Sequence, residues 1–153
     1  MPIQVPRAGA KNMKVAIIGS RDFSDYRLLK QKCNLILSSS ESFTILSGGA
    51  RGTDRLAERY AREKDIPILI YTADWIEHGR KAGMIRNNQI LLFCTHVIAF
   101  WDGKSPGTRH MIIQSKILGK KLRIVRISPA QNNSTGELQA NKNPQGSGEL
   151  YEN

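Results

Sequence analysis

Two glycine-rich segments combine glycines with hydroxyl and charged side chains, and each precedes a stretch with helical spacing of its apolar residues. One segment runs from Gly48 to Asp54 and includes Arg51, and the other runs from Asp102 to Thr108. Glycines let a ligand approach the backbone, and the free N–H groups at a helix N-terminus attract anions. We therefore expect phosphate binding at both segments, with a charge-assisted hydrogen bond from Arg51. The alternative is that the glycines only allow a helix to pack on a strand.

Three side chains in or beside the loops are candidates for contacts with a bound nucleotide. Asp54 either accepts a hydrogen bond from a ribose hydroxyl or only complements the dipole of the following helix. Trp75 and Trp101 follow the third and fourth apolar runs, where an indole ring could stack on a base. Packing at the rim of the sheet is the alternative for both tryptophans.

Apolar runs typical of strands alternate with helical patterns between residues 14 and 128. The predicted strands are Val15–Gly19, Phe43–Leu46, Ile66–Tyr71, His96–Trp101 and Leu122–Ile127. The predicted helices are an apolar face from Leu29 to Leu37, a helix capped by Thr53, and helices over 80–93 and Pro106–Leu118. This alternation predicts a Rossmann-like, doubly wound α/β fold, with a mostly parallel five-stranded sheet and helices on both faces. If the strand order is 3-2-1-4-5, the loops after the first and fourth strands flank the switch point, where such folds bind ligands.

The two ends of the chain differ in composition from this central domain, 14–128. Residues 1–13 are interpreted as a flexible arm, and 129–153 as a disordered tail because they are nearly free of apolar side chains. The arm lacks the apolar run of a secretory signal, and no run is long enough to cross a membrane. Cys33 and Cys94 lie in apolar runs, which favours buried thiols and a cytoplasmic location. A formal net charge of +10 favours an anionic partner.

Several enzyme signatures are incomplete. Gly103-Lys-Ser105 ends like a P-loop, but Ile98 stands where the first glycine belongs, and no GxGxxG is present. The spacing Gly103-x-Ser105-x-Gly107 fits a nucleophile elbow, but Pro106 has no N–H for an oxyanion hole. No metal site is predicted, because no ligand pattern surrounds the histidines, His78, His96 and His110.

Five motifs follow one another along about residues 14–126. They are Lys14-Val-Ala-Ile-Ile-Gly-Ser-Arg21, Ser47-Gly-Gly-Ala-Arg-Gly-Thr-Asp54 with Ala57 and Tyr60-Ala61, Ala73-Asp-Trp75, Ala82-Gly83 with Arg86-Asn87, and Ala99-Phe-Trp-Asp-Gly-Lys-Ser-Pro-Gly-Thr108. Together they resemble the YspA-type branch of the SLOG superfamily. The resemblance implies a Rossmann-like fold that binds nucleotides or NAD- and ADP-ribose-related ligands.

Combining this resemblance with the loop positions identifies the expected ligand-binding residues. They are Gly19, Ser20, Arg21, Gly48, Gly49, Ala50, Arg51, Gly52, Thr53, Asp54, Asp74, Trp75, Arg86, Asn87, Trp101, Asp102, Gly103, Ser105, Gly107 and Thr108.

Two related families indicate what else the chain could bind or catalyse. The first half of the chain resembles the DprA-type DNA-processing proteins, which bind single-stranded DNA. The second half resembles the "lonely guy" (LOG) phosphoribohydrolases, whose motif is Pro-Gly-Gly-x-Gly-Thr-x-x-Glu. Thr108 matches that threonine, but Met111 stands at the position of the catalytic glutamate, and Arg86 is the candidate counterpart of the catalytic arginine. Arg86 and Asp102 are the candidate catalytic residues if the chain is an enzyme, which Met111 argues against.

The leading hypothesis is a protein that binds a nucleotide-type small molecule as a sensor or by sequestering a nucleotide signal. No other cofactor is expected. The alternatives are a nucleotide phosphoribohydrolase or N-glycosidase, and a single-stranded DNA-binding protein supported by the basic charge. Aromatic side chains make up only 7% of the chain, which argues against the stacking platforms of DNA binding. A homo-oligomer is a further option, and no membrane partner is expected.

Overall fold

Six strands form one sheet in the computed structural model, which describes residues 13–128 and 150–152. In chain order the strands are β1 (Met13–Gly19), β2 (Phe43–Ser47), β3 (Ile68–Ile70), β4 (His96–Trp101), β5 (Lys121–Arg126) and β6 (Leu150–Glu152). Their order across the sheet is β3-β2-β1-β4-β5-β6. The first five strands are parallel, which confirms the doubly wound fold predicted from the sequence. Their order is 3-2-1-4-5, the order that places the loops after the first and fourth strands at the switch point.

The sheet is covered by helices on both faces. The helices are α1 (Tyr26–Ile36), α2 (Thr53–Lys64), α3 (Trp75–His78), α4 (Ala82–Phe93) and α5 (Pro106–Ile117), with a 3-10 turn at Gly79–Lys81 before α4. Because side chains alternate along a strand, β1 supplies both layers of the core: Val15 and Ile17 pack with α1 and α2, whereas Ala16 and Ile18 pack with α4 and α5.

The predicted elements differ from the structure mainly at their ends. The third strand was predicted over Ile66–Tyr71, but β3 is an edge strand that pairs with β2 at three positions only, Ile68 to Ile70. Thr53 was predicted as the cap of α2, but the capping position belongs to Gly52, and Thr53 is the first helical residue. The helix predicted over 80–93 begins at Ala82, after the separate short helix α3.

The sixth strand lies within the segment 129–153, for which the sequence predicted disorder. Leu150–Glu152 pairs antiparallel with β5 and extends the sheet beyond the five predicted strands. The rest of this segment lies outside the described residues, as does the predicted arm except for Met13, which begins β1. Within the ranges that are described, every helix is too short or too polar to span a bilayer.

Candidate functional site

The loops at the carboxyl ends of β1, β2 and β4 open on one cleft of about 410 Å³. These three strands are neighbours at the centre of the sheet, so their following loops meet at one edge, and α4 forms a further wall. Many of the expected binding residues line the cleft: Gly19, Ser20, Arg21, Gly48, Ala50, Arg51, Asp54, Arg86, Asn87, Ser105, Gly107 and Thr108.

The loop after β1 and the start of α2 are in direct contact. Both the backbone N–H and the hydroxyl of Thr53 donate to the carbonyl of Ser20, at 3.1 and 2.9 Å. Gly52 has a φ of +76°, and a Cβ added there would lie 2.6 Å from the same carbonyl. A Cβ at Gly19 would lie 2.6 Å from the Thr53 hydroxyl oxygen. Gly52 and Thr53 therefore join two loops, and neither lines the cleft.

The loop after β2 uses several of its own N–H groups. Gly49 N donates to the Ser47 hydroxyl at 3.2 Å, and Ala50 N donates to the Asp54 carboxylate at 3.1 Å. Gly49 has a φ of +68° and lies against Ile70 rather than against the cleft. The expectation that this loop offers free N–H groups to a phosphate is therefore wrong for Gly49, Ala50 and Thr53, because protein oxygens already accept from them.

Asp54 and Arg86 bring opposite charges to the cleft wall, with exposed fractions of only 8% and 7%. Arg86 donates to the Gly48 carbonyl and, at 2.9 Å, to the Asn87 side-chain oxygen. A Cβ added at Gly48 would lie 2.9 Å from both an Arg86 guanidinium nitrogen and an Asp54 carboxylate oxygen. The two charged groups therefore both lie against Gly48, and a side chain at this position would require one of them to shift.

Burial dominates the electrostatics of this pair. It raises the pKa of Asp54 to about 6, although the hydrogen bond from Ala50 and the charge of Arg86 favour the ionised form. The negative charge of Glu58 adds to the increase. Burial also lowers the pKa of Arg86, against the opposing effect of Asp54. A carboxyl group that titrates near neutral pH can either accept or donate a hydrogen bond to a ligand hydroxyl.

The loop after β4 is organised by Asp102. Its carboxylate accepts from the N–H groups of Lys104 and Ser105, both at 2.8 Å, and from the Ser105 hydroxyl at 3.0 Å. Burial opposes ionisation, but these hydrogen bonds outweigh it and lower the pKa of Asp102. Asp102 holds the loop that begins α5 and does not line the cleft. It is therefore poorly placed for the catalytic role that the sequence left open.

The N-terminus of α5 faces the cleft through Ser105, Gly107 and Thr108. Its first turn contains no acidic residue. Pro106 has no N–H, and the N–H groups of Gly107 and Thr108 have no acceptor within the helix. Such a helix end presents two donors and the positive end of the dipole to an anion.

Two tryptophans and their neighbours lie away from the cleft. Trp101 donates its indole N–H to the Ser105 carbonyl at 3.3 Å, and Arg126 lies over its ring at 5.3 Å. Gly103 provides room for the same Arg126 guanidinium. Trp75 begins α3 and is 53% exposed, and Asp74 caps that helix by accepting from Glu77. The structure therefore does not place either indole against a ligand in the cleft, because both lie on other parts of the rim.

Five residues that line the cleft were not among the expected ligand-binding residues, although Pro106 belongs to the expected segment Asp102 to Thr108: Ile18, Asp22, Ile90, Pro106 and Met111. Three of them, Ile18, Ile90 and Met111, form an apolar wall. Helical spacing could have identified two of the five, since Ile90 lies four residues after Arg86 and Met111 lies three after Thr108, each on the same helix face. For residues 13–128 and 150–152, no three His, Cys, Asp or Glu side chains stand together in a way that could hold a metal ion.

The fold and the cleft define a Rossmann-like α/β protein with a cleft at the switch point of its sheet. A family model described as the YspA, cpYpsA-related SLOG family matches residues 13–78. Gene 61 protein of Mycobacterium phage D29 is 33% identical over 113 residues, which cover 69% of this chain and 90% of that protein. The chain belongs to the YspA, cpYpsA-related SLOG family.

Solved structures share this fold at low sequence identity. DNA processing protein A (DprA) from Streptococcus pneumoniae matches with a TM-score of 0.58 and 19% identity, over 81% of this chain and 53% of that one. DprA from Helicobacter pylori, whose structure concerns single-stranded DNA binding, matches with a TM-score of 0.55 and 23% identity, over 78% and 67%. The structural genomics target TM1055 gives 0.54 and 19%, over 72% of each chain.

Proposed function

We propose that this protein binds a nucleotide in the cleft, with a phosphate at the N-terminus of α5. The observation that carries the proposal is the arrangement of Gly107 and Thr108: they line the cleft at a helix end whose first turn is free of acidic residues. The start of α2 is less suitable for an anion, because Asp54 lies in its first turn. Arg21 and Arg51 also line the cleft and supply positive charge for further phosphate oxygens.

The remaining walls suit the sugar and the base. The buried carboxyl group of Asp54 is available for a ribose hydroxyl, and Arg86 beside it balances the charge of the ionised form. Ile90 and Met111 supply apolar surface for a base in place of the tryptophans expected from the sequence. The volume of about 410 Å³ is in the lower part of the range for small-molecule sites, about 300–1,000 Å³. It suits a mononucleotide, or one half of an NAD- or ADP-ribose-type ligand.

A thermal-shift panel of mononucleotides, cyclic nucleotides, NAD and ADP-ribose tests this proposal. A ligand that binds only the native state at a hundredfold excess over its Kd stabilises it by about 2.7 kcal/mol, which raises the melting temperature. Gly107→Leu places a side chain in open space at the cleft and should abolish the shift. The control is Gly83→Ala on α4, whose added Cβ makes only an ordinary contact at 3.5 Å. The proposal fails if Gly107→Leu binds as tightly as the wild type.

Binding without turnover would make the protein a sensor of a nucleotide signal, or a protein that sequesters it. Met111 lies in the cleft where a LOG-type glutamate would stand and cannot act as an acid or a base. We therefore expect no release of free base from AMP at micromolar enzyme. Turnover above about 0.1 per second would show a phosphoribohydrolase instead. Its carboxylate would then be Asp54, which lines the cleft, rather than Asp102, and Asp54→Asn would abolish the release.

Single-stranded DNA is the second candidate ligand, because the rim of the cleft is open and carries an exposed arginine. The Arg51 side chain is 76% exposed and pairs with Asp22 at 3.6 Å. The Helicobacter pylori DprA, which shares the fold, is described as binding single-stranded DNA. DNA binding would be separated from nucleotide binding by its steep loss of affinity in salt. Submicromolar binding of an oligonucleotide, with no response to any nucleotide in the panel, would favour this second function.

A further inference from the structure

The two helical layers of the protein differ in the charge of their helices. On one face of the sheet, α2 has seven charged side chains among its 12 residues, and α1 adds Arg27, Lys30 and Lys32. On the other face, α4 has one charged side chain, the buried Arg86, and α5 has two, Arg109 and Lys116. A helix that faces water on one side normally carries charged residues there. The outer side of α4 does not follow this rule.

Large apolar side chains occupy the outer side of the α4–α5 layer instead. Met84 and Leu92 are eight residues apart on α4, and Ile113 and Ile117 are four apart on α5, so each pair shares one helix face. Leu118 follows directly at the end of α5. These five side chains, which we call the α4–α5 patch, are 44–72% exposed.

The exposed apolar area of this patch is about half of what each partner buries in a stable dimer, the share that the apolar part of an interface contributes. With roughly 150 Å² for a fully exposed side chain of this size, the five expose on the order of 400 Å² together. Soluble monomers rarely expose a larger continuous apolar patch without a function for it. A stable interface buries about 800 Å² on each partner. Uncharged neighbours such as Asn88, Gln89 and Gln114 border the patch on the same two helices and would supply the polar rim.

The charge of the chain indicates which partner fits. Two copies with a formal net charge of +10 each repel one another and can approach only through surfaces with little charge. The α4 surface is such a surface. A nucleic acid would instead need cations throughout the apolar residues, but α4 offers none on its exposed side, and α5 carries only Arg109 and Lys116.

We propose that the α4–α5 patch pairs with the same patch of a second copy of this chain, forming a two-fold symmetric dimer. In a two-fold interface the same residues serve on both partners, so two α4–α5 layers would pack as a four-helix arrangement. The inner sides of these helices carry cleft residues, among them Arg86, Asn87, Thr108 and Met111. Dimerisation would therefore stabilise the two helices that form one wall of the cleft. The dimer itself does not require the proposed ligand.

Analytical ultracentrifugation of the full chain tests this dimer, at protein concentrations up to about 100 μM, where even a micromolar Kd gives mostly dimer. The test variant combines Leu92→Lys and Ile117→Lys, which keep helix-forming residues at exposed positions. The control is Leu35→Lys on α1, a residue 61% exposed on the opposite layer. We expect a dimer for the wild type and the control, and a monomer with an unchanged far-UV circular dichroism spectrum for the double variant. Its melting temperature should be lower only by the stabilisation that association gives the wild type.

The salt dependence of dimerisation provides a second, independent test of the proposal. Because two positively charged copies repel, raising the salt concentration from 50 to about 500 mM should strengthen the dimer by screening. A wild type that stays monomeric at both salt concentrations contradicts the proposal. A dimer that survives the double variant, or that Leu35→Lys disrupts equally, contradicts it as well. Dimerisation that occurs only with added nucleic acid and weakens in salt would assign the patch to a different partner.

Discussion

The glycine-rich loops after β2 and β4 have similar compositions but different internal bonding. After β2, the N–H groups of Gly49 and Ala50 are bound to Ser47 and Asp54, and Asp54 adds negative charge at the helix start. After β4, the Asp102 carboxylate accepts from N–H groups of its own loop. The first turn of α5, which follows, contains no acidic residue and faces the cleft. Glycine content alone therefore does not distinguish a loop whose N–H groups bind protein oxygens from one that leaves N–H groups free at a helix start. The difference lies in which N–H groups already have protein acceptors.

The largest expected effect is a difference in stability between variants of the two loops. Gly52→Val combines a positive φ with a Cβ 2.6 Å from the Ser20 carbonyl. We expect it to lower the free energy of unfolding by about 3 kcal/mol, whereas Gly107→Val, whose Cβ meets open space, should change it by less than about 1 kcal/mol. Urea denaturation of the two variants measures the difference. Equal losses of stability in both would show that the loops have the same structural role.

The two loop carboxylates should give opposite pH dependences. The folded-state pKa of Asp54 is raised to about 6 by burial, so the folded protein binds this proton more tightly than the unfolded chain. The stabilisation is complete below the ordinary pKa of an aspartate, about 4, and is lost as the pH rises through 6, amounting to about 2 kcal/mol between pH 4 and 7. Asp54→Asn should be more stable than the wild type at pH 7, with the advantage shrinking by pH 5 in denaturant titrations. An advantage that is constant with pH would contradict the buried, titrating carboxyl group.

The contribution of Asp102 to stability should change with pH in the opposite direction, because hydrogen bonds from the loop lower its pKa. Its contribution to stability is present above the ordinary pKa of an aspartate, about 4, and is lost as the pH falls through its lower folded value. Asp102→Ala removes the acceptor for three donors and should cost about 1–2 kcal/mol at pH 7. The same titrations at pH 3 should show a smaller cost. A cost that grows on acidification would be inconsistent with this role.

The smallest effect is expected for Arg51, at the rim of the loop after β2. Its side chain is 76% exposed and its ion pair with Asp22 is long, so a contact with a ligand phosphate is weakened by solvent. Arg51→Ala should reduce nucleotide affinity about two- to fivefold in isothermal titration calorimetry, less than Gly107→Leu does. If Arg51→Ala lost more affinity than Gly107→Leu, the main phosphate contact would belong to the loop after β2.

The sequence predicted the fold well because its signals are local and repeated. Apolar runs such as Val15 to Ile18 identify strands buried on both faces, and the alternation with helices determines the parallel topology. The edge strand β3 was predicted too long, because its length depends on pairing with β2. The positions of Trp75 and Trp101 were not predictable, since a place at or after the end of a strand does not determine which part of the rim an indole occupies. Likewise, the sequence does not show that Ser47 and Asp54 occupy the N–H groups of their own loop.

The most direct test of nucleotide binding at α5 is to follow backbone amide signals by NMR as a mononucleotide is added. We expect the N–H signals of Gly107 and Thr108 to shift downfield as a phosphate accepts from them, while those of Gly49 and Ala50, already bound to protein oxygens, stay nearly unchanged. The matching nucleoside, which lacks the phosphate, should perturb residues near Ile90 and Met111 without shifting Gly107 and Thr108. Large shifts at Gly49 and Ala50, with Gly107 and Thr108 unaffected, would contradict the account and assign the phosphate to the loop after β2.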